Sequence, residues 1–137
     1  MITRLARRHG FTCTHRYNID QWTENENRQV FGACFTPHGH GHNYELEVYL
    51  EGPVSPQTGM VINLVDVDNI LKETVLPVAG KHLNFEVSEF NNKVPTTELV
   101  AEFLFERCEK LFKPLGVKVL KLRLYEYDDL WVDVWAK

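Results

Sequence analysis

The chain has 137 residues, of which 44% are hydrophobic and 25% are charged, and its formal net charge at pH 7 is -4. We therefore expect one soluble domain over residues 1–137, with no segment long and apolar enough to cross a membrane. The acidic balance argues against a nucleic-acid partner, because the basic residues cluster only at Arg4, Arg7 and Arg8. Three widely spaced cysteines and no signal peptide favour reduced thiols and a cytoplasmic location.

Two N-terminal segments alternate between polar and apolar residues, as strands do. In residues 5–16, Phe11, Cys13 and His15 share one face. The next segment has a longer face of the same kind, formed by His40, His42, Tyr44, Leu46, Val48 and Leu50. Both predicted strands therefore carry histidine on the side that faces the core.

The rest of the chain predicts two helices and then two strands. Asn63 begins a helical stripe that Pro77 ends, and Thr96 supplies a hydroxyl cap for a second helix. Residues 118–127 and 130–136 alternate as strands around a short acidic turn. The order ββααββ predicts an α+β fold, an antiparallel four-stranded sheet with two helices on one face.

The histidines on the predicted strands indicate a metal site. His40 and His42 are two residues apart on one strand, so both side chains project to the same side. His15 completes a set of three if its strand is the neighbour, with His38 as the competing third ligand. Three imidazoles suit Zn²⁺ and leave a fourth position open for water or substrate. The alternative is that each histidine is only a hydrogen-bonded core residue.

Several motifs occur in order over nearly the whole chain. They are Phe11-Thr12-Cys13-Thr14-His15-Arg16, Phe31-Gly32-Ala33-Cys34, His40-Gly41-His42-Asn43-Tyr44, Gly59-Met60-Val61-Ile62-Asn63, His82-Leu83-Asn84, Pro95-Thr96-Thr97-Glu98 and Tyr125-Glu126. Together they resemble the 6-pyruvoyltetrahydropterin synthase family, which includes the 6-carboxytetrahydropterin synthases of the queuosine pathway. The resemblance implies the tunnelling fold (T-fold), whose subunits assemble into a barrel, and a homohexamer with active sites between subunits.

The resemblance also implies an activity, that of a zinc-dependent lyase. The substrate would be 7,8-dihydroneopterin triphosphate, and the loss of triphosphate would give 6-pyruvoyltetrahydropterin or 6-carboxytetrahydropterin. By the same resemblance His15, His40 and His42 hold zinc, while Cys34 and His82 are catalytic. A thiolate that removes a carbon-bound proton near neutral pH needs a lowered pKa.

The resemblance assigns substrate binding to Glu126, Thr96 and Thr97. A carboxylate accepts paired hydrogen bonds from the amino group and ring nitrogen of a pterin. Each residue also has a structural interpretation: Glu126 as a strand end that reaches water, and the threonines as helix caps. Cys34 by itself is equally compatible with a small buried apolar residue.

One departure from the family pattern concerns the proton relay. The family usually has aspartate before the histidine that we match to His82, whereas this chain has Lys81. An ammonium there would disfavour a protonated imidazole. Two alternatives to the lyase therefore remain: a related dihydropterin side-chain aldolase, and a catalytically weak pterin-binding protein that contains zinc. The five residues between Cys34 and His40 resemble the spacing of the pyruvoyl-forming enzymes.

Overall fold

A four-stranded antiparallel sheet forms the centre of the computed structural model, which describes residues 1–137. Its strands are β1 (Arg4–His15), β2 (His40–Glu51), β3 (Lys118–Tyr127) and β4 (Leu130–Trp135). Their order in the sheet is the same as their order in the chain. Each strand therefore lies beside its neighbour in sequence, as antiparallel connections allow. The predicted sheet is confirmed.

The alternation read from the sequence corresponds to the two faces of this sheet. In β2 every second residue from His42 to Leu50 is buried, while the residues between them are exposed or half-buried. We call the buried side the core face and the other side the open face. The open face carries charged and aromatic side chains, namely Arg8, Glu47, Tyr49, Lys121, Arg123, Tyr125, Trp131, Asp133 and Trp135.

Two helices cover the core face, as predicted. Helix α2 (Leu64–Val75) is capped by the side chain of Asn63, and a longer helix (Thr97–Phe112) is capped by Thr96. Their buried apolar residues join those of the strands in one core. No helix combines the length and the apolar character that crossing a membrane requires.

The structure adds helical segments that the order ββααββ omits. Helix α1 (Glu24–Phe31) lies between β1 and β2, and the single turn α3 (Leu83–Glu86) precedes the Thr97–Phe112 helix, which is therefore α4. Helix α1 consists largely of polar residues, so it has no apolar stripe for a periodicity argument to detect. Its supports are polar instead: Thr23 caps it, and the buried Asn27 side chain bonds to the backbone of Ile19.

Strand β3 has two irregularities in its pairing with the neighbouring strands. Tyr49 pairs with Lys121 but Leu50 pairs with Val119, so Leu120 is an extra residue that bulges out of the ladder. Val119 therefore lies on the core face and is buried, whereas Leu120 is half-buried. A second bulge occurs at Glu126, because it lies between the paired residues Tyr125 and Tyr127 and has no partner on β4.

Candidate metal centre and active site

The strand register brings the three predicted histidines together. His15 pairs with His40 across β1 and β2, and His42 follows on the same side of β2. The Nε2 atom of His15 lies 3.1 Å from Nε2 of His40 and 3.1 Å from Nε2 of His42. The competing residue His38 is exposed and its imidazole is not part of the cluster.

The second nitrogen of His15 is fixed by the backbone. Its Nδ1–H donates to the carbonyl oxygen of Pro95 at 3.0 Å, with the hydroxyl oxygen of Tyr44 3.2 Å from the same nitrogen. This bond leaves the Nε2 lone pair directed at the other imidazoles, as in metal-binding histidines. Burial, with smaller effects from His40 and His42, lowers the pKa of His15 to about 3. His15 is therefore neutral at physiological pH.

A carboxylate that the sequence analysis assigned to the pterin lies in the same cluster. One oxygen of Glu126, Oε1, is 2.9 Å from Nε2 of His42 and 3.6 Å from Nε2 of His15. The other, Oε2, accepts a hydrogen bond from the Thr97 hydroxyl at 2.9 Å. Alternation along β3 places this side chain on the core face, with the buried Leu122 and Leu124. Pterin binding by Glu126 stays a prediction, and its oxygens already have neighbours within the centre.

These side chains form a set of atoms that fits a metal ion. One ligand atom from each of His15, His40, His42 and Glu126 lies within 4.8 Å of the others. Four ligands at 2.0–2.1 Å from a tetrahedral ion would be about 3.3 Å apart. The His15–His40, His15–His42, His15–Glu126 and His42–Glu126 separations are 2.9–3.6 Å, close to that value. All four groups offer lone pairs, and the Glu126 carboxylate lies beside His15 and His42 but pairs with no lysine or arginine. The cluster can therefore hold a metal ion.

Cys34 lies at the end of a 3-10 turn (Gly32–Cys34) that follows α1. Its carbonyl oxygen accepts the backbone N–H of Tyr17 at 3.2 Å, which ties the turn to the segment after β1. Burial and, to a lesser extent, the negative charge of Glu126 raise the pKa of the thiol. The protein groups around Cys34 therefore shift its pKa upward, away from the lowered value that thiolate chemistry needs, and a cation in the cluster would act in the opposite direction.

His82 is also held near the C-terminal end of β1. Its backbone forms a parallel bridge with Thr14. The imidazole donates Nε2–H to the carbonyl oxygen of His38 at 2.8 Å, while its Nδ1 is buried without a hydrogen-bond partner. Because Nε2 carries the proton, Nδ1 presents a lone pair. The side chain of Lys81 is exposed and makes no ion pair, so it does not replace an orienting carboxylate.

Gly39 explains why the loop can lie so close to this imidazole. Its φ is +90°, and a Cβ there would be 2.6 Å from the carbonyl oxygen of His15 and 2.9 Å from Nε2 of His82. Only glycine combines this backbone conformation with so close an approach. The loop before β2 therefore packs directly on the ends of β1 and α3.

The two threonines have different positions. The Thr96 hydroxyl accepts the N–H of Leu99 at 3.2 Å and caps α4, as its structural interpretation predicted. Thr97 is buried and donates to Glu126. The sequence analysis missed Tyr44 and the Pro95 carbonyl as partners of His15. Tyr44 was detectable, since it lies two residues beyond His42 on the same face, whereas a backbone carbonyl leaves no signal in the sequence.

Comparison with known proteins identifies the family. Residues 4–137 match the family described as 6-pyruvoyl tetrahydropterin synthase. The 6-pyruvoyl tetrahydrobiopterin synthases of Pongo abelii and Homo sapiens are 38% and 37% identical to this chain over 126 residues, which cover 91% of this chain and 86% of each relative. The structure of Caenorhabditis elegans 6-pyruvoyl tetrahydropterin synthase matches with a TM-score of 0.90 at 28% identity, covering 100% of this chain and 97% of that one. The predicted T-fold subunit is thus confirmed, and the chain belongs to the 6-pyruvoyl tetrahydropterin synthase family.

Proposed function

We propose that this protein is a zinc-dependent carbon-oxygen lyase that converts 7,8-dihydroneopterin triphosphate to 6-pyruvoyltetrahydropterin. The observation that carries the proposal is the convergence of three imidazole nitrogens and a carboxylate oxygen in one cluster. Relatives that bear the name of a 6-pyruvoyl tetrahydrobiopterin synthase support the pyruvoyl product over the carboxy product of the queuosine branch. We place the enzyme, as one domain over residues 1–137, in the cytoplasm.

The zinc ligands in this proposal are His15, His40 and His42. Zinc suits a site of imidazole nitrogens, and when bound it would polarise the hydroxyl groups of the substrate side chain. The Pro95 carbonyl orients His15, and the carboxylate of Glu126 would partly neutralise the charge of a bound ion. Thr97 keeps that carboxylate in place through its hydroxyl.

The proton transfers are assigned to Cys34 and His82. The thiolate of Cys34 removes a proton from a side-chain carbon, and triphosphate departs with the electrons of the carbon-oxygen bond. The conversion also includes an internal redox rearrangement, in which one side-chain carbinol is oxidised to a carbonyl group and the pterin ring gains the two electrons and two protons, so no external oxidant or reductant is consumed. The lone pair on Nδ1 of His82 accepts the proton, since Nε2 is already protonated and bound to the His38 carbonyl. Both residues are attached to the C-terminal end of β1, where His15 also lies.

The assembly in this proposal is a homohexamer with sites between subunits. In the single chain, β1 and β4 each have one neighbouring strand, so each leaves an edge on which another subunit can add. Continuation of the sheet through these edges would close a barrel and remove them. The measurement that tests the assembly is the mass of the purified protein in solution.

The activity test is product analysis by mass spectrometry. Zinc-loaded protein is incubated with 7,8-dihydroneopterin triphosphate, beside Cys34→Ala and Cys108→Ala variants. Cys108→Ala is the matched control, because that thiol is buried in the core of α4. We expect triphosphate and 6-pyruvoyltetrahydropterin from the parent and the control but not from Cys34→Ala. Cleavage of the pterin side chain without elimination of triphosphate would identify an aldolase, and no turnover by the parent would reject the lyase.

A further inference from the structure

Arg16 differs from every other arginine in the molecule. Six arginines donate to carboxylates or carbonyl oxygens of the protein, namely Arg4, Arg7, Arg8, Arg28, Arg107 and Arg123. The Arg16 guanidinium has no hydrogen-bond or ion-pair partner, and its Nε is buried. A buried donor without a partner costs free energy. A ligand that accepts from this group would recover that cost.

The backbone of Arg16 is held rigidly by one side chain. Asn84 accepts the backbone N–H of Arg16 at 2.8 Å and donates its own amide to the backbone carbonyl of Arg16 at 2.9 Å. The guanidinium therefore extends from a fixed point. A fixed attachment point reduces the entropy lost when a side chain binds a ligand.

Arg16 lines a polar cavity of about 140 Å³. Asn18, Asn84, Asn92 and Lys93 contribute further polar groups to this cavity. Lys93 is paired with Glu89 at 3.2 Å. The lining also includes Asp20, an exposed carboxylate that receives a hydrogen bond from Asn18. Arg16 is thus the cation of the cavity that no carboxylate neutralises.

Arg16 also lines a second hollow, which contains another arginine. Its lining contains Arg16 and Arg28, but the Arg28 guanidinium donates to Glu24 at 2.8 Å. Asp20 lines this hollow as well as the first, but Arg16 forms no ion pair with it and is the arginine without a carboxylate partner in both hollows. An anion that entered either space would therefore meet the same guanidinium.

The position of Arg16 relates the cavity to the metal centre. The hollows that Arg16 lines do not contain the metal-centre residues themselves, but each reaches a chain neighbour of the site. Val94 lines the first hollow and precedes Pro95, whose carbonyl accepts the His15 Nδ1–H. Phe35 lines the second hollow and follows Cys34. A substrate whose side chain lay between the metal centre and Cys34 could therefore place a charged group near Arg16. The planar guanidinium matches the oxygens of a phosphate through paired hydrogen bonds.

We propose that Arg16 binds the triphosphate of the substrate and thereby determines specificity for phosphorylated pterins. This inference rests on the proposed function for the identity of the substrate, but the anion site itself follows from the unpartnered guanidinium. Arg16 positions the leaving group and does not transfer a proton.

The test compares Arg16→Gln and Arg16→Lys with Arg4→Gln. Arg4 is a matched control because it lies at the other end of β1, where its guanidinium is exposed and paired with Glu51. The assays are steady-state kinetics with 7,8-dihydroneopterin triphosphate, and calorimetric titration of zinc-loaded protein with inorganic tripolyphosphate and with unphosphorylated 7,8-dihydroneopterin. A charged hydrogen bond of typical strength predicts at least about a tenfold loss of tripolyphosphate affinity and a similar rise in KM for Arg16→Gln.

We expect Arg16→Lys to recover part of this loss and Arg4→Gln to behave as the parent, with affinity for unphosphorylated dihydroneopterin unchanged in all variants. Equal weakening of both ligands by Arg16→Gln would show a general structural role and overturn the inference, as would unchanged tripolyphosphate affinity. If the parent does not turn over the triphosphate, the lyase proposal fails. An Arg16-dependent affinity for tripolyphosphate would still support the anion site.

Discussion

On the open face of the sheet charged side chains lie beside opposite charges. On the core face three imidazoles meet the Glu126 carboxylate, which pairs with no lysine or arginine. Arg8 pairs with Glu47, and Arg123 forms a bidentate salt bridge with Asp133. Both faces belong to the same strands, so alternation alone separates the two environments. On the open face the charged groups neutralise one another. On the core face the carboxylate and the imidazole lone pairs have no cationic side chain to bind. That difference locates the functional site.

The largest effect should come from His40→Ala, which removes an imidazole from the cluster while leaving the buried His15 in place. We expect bound zinc to be lost and turnover to fall by about a thousandfold, because a metal ion contributes several kcal/mol to such reactions. Metal content by mass spectrometry and product formation measure the two outcomes. Arg8→Gln, on the open face, is the control and should retain zinc. Full zinc occupancy in His40→Ala would contradict the site.

Glu126→Gln tests whether the carboxylate belongs functionally to the cluster. We expect zinc affinity to fall about 10- to 100-fold, the range found for supporting groups around metal ligands, because the substitution removes the negative charge near His42. Competition with a chromophoric chelator measures the affinity. Glu47→Gln is matched in chemistry but lies on the open face beside Arg8, so unchanged affinity is expected there. Equal affinities in the two variants would assign Glu126 to substrate alone.

The metal-free protein should lose stability as the pH falls, through His15. Its folded pKa is lowered from 6.5 to about 3, so the unfolded state binds more protons between these values. The contribution of His15 to the free energy of unfolding is therefore fully present above about pH 6.5 and is lost progressively as the pH falls toward 3. Between pH 7 and pH 5 the loss is about 2 kcal/mol. Asp133 on the open face also has a lowered pKa, but its ordinary value is already 3.8. Its contribution to the free energy of unfolding is therefore lost only at lower pH.

Urea unfolding of chelator-treated protein at the two pH values measures this loss. A His15→Asn variant cannot titrate at this position and should lose less stability than the parent over the same interval. His38→Asn replaces an exposed histidine and should reproduce the parent. A pH dependence identical in His15→Asn and the parent would remove His15 as its source.

The smallest effect should be the coupling between Arg123 and Asp133 on the open face. The two side chains are 23% and 22% exposed and form two hydrogen bonds, so solvent screening is incomplete but substantial. A double-mutant cycle with Arg123→Gln and Asp133→Asn should give a coupling free energy of about 1 kcal/mol. Zinc binding should not change in either variant. A change in zinc affinity would show that the two faces are not independent.

The sequence by itself determined the elements whose residues repeat with a clear period. Alternation in β2 is enough to place His40 and His42 on one side with the core residues that follow. Helices α2 and α4 were predictable because their apolar residues recur at helical spacing and a capping residue marks the start of each helix. Helix α1 was not predicted, because polar residues fill it and its supports are hydrogen bonds to Ile19 and Thr23. Local sequence carries no periodic signal for such contacts.

Only the tertiary structure decided which distant groups meet. The strand register placed His15 opposite His40, and the pairing of β2 with β3 brought Glu126 beside them, although Glu126 lies 86 positions after His40. The isolation of Arg16 is likewise a tertiary property, since the sequence does not reveal which of its arginines will find a partner. The alternation of side chains between the two faces follows from the backbone of a single strand. Which residues meet as metal ligands, and which charged groups stay without a partner, depends on the strand register, on bulges and on loops from elsewhere in the chain.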